Sequence, residues 1–312
     1  MRTPLTPLRT TATAVASLLL LAGCDTGGPT ATPASPATSA SASAGSPDGT
    51  GTTDAPTSLG TSRPAGPSES TTSAEPTVEV PPAPPEDACY RLRLRELTEP
   101  TSSRDPVPCT DAHNAQTIHV GELDTVVDGH SVAVDSRVVQ DQLASTCPGE
   151  LASYVAGSRQ LRALSRFEVV WYSPTLEQSD RGATWFRCDL VAFATSDRLA
   201  DLPRPSRLES VLDEEGALDT WGLCGTAAPG TSGFSRVICS RDHSWRAVAT
   251  IDLGDDENYP GTASVRGAGD EDCRDVASEG AGSATRFEYG WEWPTRAQWK
   301  QGQHYGFCWA PD

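Results

Sequence analysis

Eight cysteines lie beyond residue 88, and they fall into two sets of four with spacings in the same order. Cys89, Cys109, Cys147 and Cys188 are separated by 20, 38 and 41 residues, and Cys224, Cys239, Cys273 and Cys308 by 15, 34 and 35. The segments from Phe167 to Cys188 and from Phe287 to Cys308 align without a gap and share eight identical residues in 22 positions. A second echo is CTDAH, ending at His113, against CSRDH, ending at His243. Internal duplication is the economical explanation. Four cysteines allow three pairings in each set, and spacing does not choose among them. We expect first with second, joining neighbouring elements, and third with fourth, tying a helix to the final strand. Each bridge would contribute about 3 kcal/mol by restricting the unfolded chain. A zinc site is the competing use of these residues, but there is no C-x-x-C knuckle, and such closely spaced pairs are typical of structural zinc sites.

The chain begins differently. Arg2 and Arg9 precede an apolar run from Ala12 to Leu21 that ends in LAGC at Cys24. A charged start, a short apolar stretch and a small-residue cleavage site describe a processing signal, here residues 1–23. The LAGC sequence has the form of a bacterial lipobox, in which the cysteine carries the lipid, so Cys24 is the expected lipidation site. Residues 24–86 are rich in Ser, Thr, Ala, Pro and Gly with almost no large apolar residue, a composition that cannot offset the entropy of ordering. As a flexible tether this stretch would span roughly 40 Å. The expected location is the outer, extracytoplasmic face of the cell membrane, held by lipid without a spanning helix. With 24 basic and 42 acidic residues the net charge is −18, which argues against a nucleic-acid partner.

All eight tryptophans and all six tyrosines follow residue 86. We therefore expect two folded domains, 87–195 and 221–312, joined by a connector at 196–220 that carries a short acidic helix. Alternation predicts strands in NAQTIHVGEL, RFEVVWY and ATWFRCDLVAF, with a counterpart in WRAVATIDL. Between the first two, Val139, Leu143, Cys147, Leu151 and Val155 recur every four residues and predict a buried helical stripe, with a break at Pro148. A weaker, glycine-broken helix is expected around Cys273. The fold class is α+β: two tandem, disulfide-stapled small domains, each a few-stranded antiparallel sheet with a helix.

ACYRL, then VPCTDAHNAQTIHVGEL, a cysteine-bearing helix and SPTLEQSDRGATWFRC together resemble the septum formation domain of actinobacterial envelope proteins. In that family a Val-x-Cys-Ser-x-Pro-His-x-x-Glu run follows the first cysteine, and the domain closes on Pro-Thr-x-x-x-Trp-x-x-Gly-Asp-Arg before a last cysteine. The resemblance covers each repeat almost end to end. The family's Pro-His stands here as Ala112-His113 and Asp242-His243, its Glu as Gln116 and Arg246, and its Trp as Ser179 and Trp299. The resemblance implies envelope placement and an association with septation; it implies no reaction.

The sequence holds no G-x-S-x-G, H-E-x-x-H or P-loop pattern, and no serine stands three residues before Lys300, the single lysine. Bridged cysteines would offer no nucleophile. A non-catalytic protein without a cofactor or metal is expected, binding an envelope or division protein or a cell-wall component. His113, His243, Trp293 and Trp309 are the candidate binding residues. The two histidines sit at matching places in the repeats, whereas Trp293 and Trp309 stand opposite Ser173 and Asp189 and so read as surface aromatics. Trp171 and Trp291 match one another and read as core. A wall-acting enzyme using the histidines, or an ion sensor using the acidic runs at Asp252–Asn258 and Asp270–Asp272, are the alternatives.

Overall fold

The computed structural model describes residues 79–282 and 286–312. The signal segment, Cys24 and most of the tether lie outside the described residues. In chain order the first repeat contributes β1 (Cys89–Tyr90), β2 (Ala115–Glu122), a small hairpin of β3 (Val126–Val127) and β4 (His130–Ser131), α1 (Arg137–Val155), α2 (Arg159–Ala163), β5 (Phe167–Tyr172), α3 (Leu176–Asp180) and β6 (Trp185–Thr195). The connector holds β7 (Arg198–Leu199) and α4 (Ala217–Trp221). The second repeat follows with β8 (Leu223–Gly225), β9 (Arg236–Ile238), β10 (Trp245–Asp252), α5 (Thr262–Ala268), α6 (Asp270–Gly280), β11 (Gly290–Glu292), α7 (Arg296–Lys300) and β12 (Tyr305–Pro311).

The duplication is built into the hydrogen bonding. In the first repeat β1 pairs β2, β2 pairs β6 and β6 pairs β5; in the second β8 pairs β10, β10 pairs β12 and β12 pairs β11, all antiparallel. Even the irregularities match. The ladder slips by one residue between Thr117 and His119 and between Ala247 and Ala249, each eight and ten residues after the second cysteine of its set. The disulfides are Cys89–Cys109, Cys147–Cys188, Cys224–Cys239 and Cys273–Cys308, the expected pairing. In each repeat one bridge secures the first strand to the following loop, and the other fastens the helix to the last strand.

The gapless echo has a local cause. Thr175 caps α3 by accepting from the Gln178 amide, while the Gln178 side chain accepts from the Thr175 amide at 2.9 Å. Thr295 and Gln298 repeat the arrangement at α7. These capping boxes satisfy amides that a helix start otherwise leaves bare. Gly182 and Gly302 then end the two helices with φ of +97° and +88°, the left-handed exit that favours glycine. The threonine, glutamine and glycine shared by the two copies therefore specify one helical turn and its stop.

The helix α1 runs through Pro148 without the expected break. Proline there leaves the Ala144 carbonyl without its helical donor, and both residues lie on the exposed face, where water can take that carbonyl. Val139, Leu143, Cys147 and Val155 are buried beneath it. In the second repeat the helix is divided into α5 and α6 at Gly269.

The two repeats share one ten-stranded sheet, because Thr195 near the end of β6 pairs with Val237 of β9. The Leu223 amide also donates to the Leu164 carbonyl, and the Arg166 amide to the Trp221 carbonyl, each at 2.7 Å. The stretch at 196–220 packs as well as connects. Leu202, Leu208, Val211 and Leu212 are buried against Val155, Phe167, Leu190 and Ala192 of the first repeat. Tyr154 holds this segment at two points: its hydroxyl donates to the Pro205 carbonyl at 2.9 Å, and its carbonyl accepts from the Ser210 amide at 2.8 Å. At the other end, Pro81 to Pro85 run beside Tyr90, Trp185 and Arg187 with no helix or strand of their own.

Candidate functional site

The residues singled out from sequence do not converge. His113 is buried, with Nδ1 facing the Asp111 carbonyl at 2.8 Å and Nε2 facing the Pro203 carbonyl at 3.1 Å. It is a tie between loop and connector and presents nothing to a partner, contrary to expectation. His243 repeats the first contact, Nδ1 to the Arg241 carbonyl, but its Nε2 meets Asp312 Oδ2 at 2.6 Å. Arg246 donates to the other Asp312 oxygen at 2.8 Å and to Asp219 at 2.9 Å. The Arg246 hydrogen bond is the main reason the Asp312 carboxyl is held below its ordinary range. His243 lies beside Cys224 and Cys239, but those sulfurs are bonded to each other, so the trio offers no thiolate to a metal.

Trp309 is also displaced from its expected place. It is fully buried, its ring edge-on to Phe234 at 5.3 Å and its Nε1 donating to Glu292 at 3.1 Å. Room for it comes from Gly225, where an added Cβ would lie 2.8 Å from the Phe234 ring and 3.2 Å from the Trp309 ring. The matching position of the first repeat is Tyr90, and the matching pair to Phe307 and Trp309 is Arg187 and Asp189. The first repeat thus fills this slot with a buried ion pair, Arg187 Nε to Asp189 Oδ2 at 3.2 Å, with the guanidinium 3.7 Å over the Tyr90 ring and Thr117 donating to Asp189 at 2.8 Å. Burial pushes the Asp189 carboxyl up, while Arg187 and Thr117 pull the other way. Exchanging a buried ion pair for large apolar side chains is a known route to an equally stable core. Trp293 is half-buried, with the Arg266 guanidinium 5.3 Å over its ring. Trp291 is buried as expected, and Trp171 packs half-buried on the first core. The acidic run at Asp252–Asn258 is mostly exposed loop, with Asp252 and Asp256 accepting from the amides of Gly254 and Asn258.

Sequence reasoning missed the feature most suited to binding. On the helical side of the second repeat, between α6 and strands β10 and β12, an open apolar groove of about 910 Å³ is lined by Val248, Val276, Ala277, Gly280, Phe287 and Ala310. Arg286 and Glu288 stand at its edge. Phe287 is among the most exposed large apolar residues described. Grooves of this size that are apolar with a few charged groups at the rim are the usual form of ligand and peptide sites. The small residues Ala277, Gly280 and Ala310 make the space, and only the alignment of the repeats distinguishes them from ordinary helix and strand residues.

A family model described as Septum formation matches residues 59–165 and again 158–308. Neither a curated protein nor a solved structure matches the chain. Among the described residues no helix is long and apolar enough to cross a membrane, and four disulfides are the usage of an oxidising, extracytoplasmic compartment.

Proposed function

The chain belongs to the Septum formation family, and from that premise we propose that it is a non-catalytic, lipid-anchored envelope protein that binds a cell-wall or division-associated partner. The observation that carries the binding role is the open groove of the second repeat. Exposed contiguous apolar surface favours association and is usually put to use. The residues best suited to chemistry are engaged in the scaffold: the eight cysteines are bridged, and the ring nitrogens of His113 and His243 are taken by carbonyls and a carboxylate. The lipobox at Cys24 and the long polar tether support anchoring at a distance from the membrane.

Crosslinking in intact cells, followed by affinity capture of the tagged chain, tests this reading. Recovery of a discrete envelope partner that depends on the folded region supports it, as does release of the protein into the medium by Cys24→Ser. Turnover of purified peptidoglycan that is lost in His243→Ala would contradict it.

A further inference from the structure

The groove of the second repeat is not a feature without precedent in the molecule, because the first repeat has the same groove with an occupant. Counting from equivalent cysteines, Val248 corresponds to Ile118, Ala277 to Leu151, Gly280 to Tyr154, Phe287 to Phe167 and Ala310 to Leu190. Those five residues of the first repeat form the wall against which Leu202, Leu208, Val211 and Leu212 are buried. In the second repeat the same wall lines open space. Among the described residues no segment plays the part that 202–213 plays in the first. Each changed wall residue is also smaller: Tyr to Gly, Leu to Ala twice, and Ile to Val. An added Cβ at Gly280 would meet nothing within 4 Å.

We propose that this groove seats a leucine- and valine-bearing segment of a partner protein, folded in short turns as residues 202–213 are. This rests on the binding role given above and names the chemistry of what is bound. The first repeat shows how such a segment is recognised. Two short 3-10 turns at Pro205–Arg207 and Val211–Asp213 present Leu208, Val211 and Leu212 to the wall. The carbonyl of the wall residue Tyr154 fixes the backbone through the Ser210 amide. The second repeat keeps the helix end and the strand wall, and loses bulk at four of the five matched positions. That leaves room for side chains at least as large as leucine. The driving force would be removal of apolar surface from water, about 25 cal/mol per Å², less the ordering of the segment.

The test uses the mature chain and, as probe, a synthetic peptide with the sequence of residues 200–214. Titration should show saturable binding. Gly280→Trp combined with Ala310→Trp, which fills the groove with more bulk than Tyr154 and Leu190 give the wall of the first repeat, should weaken it by at least about tenfold. A peptide with Leu208, Val211 and Leu212 replaced by serine should fail on the unaltered protein, a control that leaves the fold untouched. Absence of saturable binding, equal binding of the serine peptide, or equal binding by the filled variant would overturn the proposal. So would a concentration-dependent dimer abolished by the filled variant, since the occupant would then be a second copy. If cellular crosslinks to a partner persist unchanged in the filled variant, this inference fails and the binding role stands; if the unaltered chain captures no partner, the binding role itself fails.

Discussion

Replacing Leu208 by alanine measures whether the stretch between the repeats belongs to the core of the first. Leu208 is fully buried between the end of α1 and the sheet, in a cluster with Val155, Phe167 and Leu190. Leu208→Ala removes three carbons, worth about 2.4 kcal/mol at ~0.8 kcal/mol per methylene. The wall is held by the Cys147–Cys188 bridge and by Tyr154 on Pro205, so it cannot collapse fully into the gap. The residual cavity places the expected loss within the range of about 2–5 kcal/mol seen for such truncations. A value near 3 kcal/mol would lower the melting temperature of a body this size by roughly 6–12 °C. Calorimetry and urea titration of the oxidised protein are the assays, with Val126→Ser as an exposed control expected to stay within about 0.5 kcal/mol. A Leu208→Ala loss no larger than the control would refute the claim that the segment fills a groove, and would remove the comparison on which the occupant of the second groove is argued.

Asp189→Ala should cost about 3–5 kcal/mol, because it leaves the buried Arg187 guanidinium unpaired; urea unfolding checks this, and a loss under 1 kcal/mol, a figure typical of about one ordinary substitution, would mean the pair is not enclosed. Gly302→Ala should destabilise by roughly 1–2 kcal/mol from the left-handed backbone alone, since nothing lies within 4 Å of the added carbon. Asp312, whose pKa is lowered by Arg246, contributes stability that is complete above an unfolded aspartate pKa of roughly 3.9 and is lost as pH falls through its lower folded value. Melting curves through that acid window should therefore fall less steeply in Asp312→Asn, and identical slopes would show that the Arg246 contact is not populated.

The duplication was legible because its shared residues obey local rules. A capping threonine, the glutamine three residues on and an exit glycine are sufficient in themselves to set a turn, so they stand out at Pro174–Gly182 and Pro294–Gly302 without any tertiary knowledge. The disulfide pairing followed from the order of elements. Trp309 was misread for the opposite reason: its burial depends on Gly225, 84 residues earlier, and no local pattern links the two. His113 looked available because the carbonyl of Pro203 that takes its Nε2 lies 90 residues away. The stretch at 196–220 reads as a connector with a short acidic helix, since Leu208, Val211 and Leu212 are few among charged neighbours. Only the end of α1 and the strand wall, brought together by folding, make those three residues a core. The groove of the second repeat was hidden by the same principle, as it is defined by what Gly280 and Ala310 lack.

The most direct test of the account is the accessibility of one position in both repeats. A thiol placed by Ala310→Cys lines the open groove, whereas its counterpart placed by Leu190→Cys lies where the wall is covered by residues 202–213. With the four disulfides intact, a small maleimide should modify the thiol at 310 rapidly under native conditions and the thiol at 190 only at the rate of unfolding. Equal protection at the two positions would contradict the account, because the second repeat would then carry an occupant of its own and present no groove to a partner.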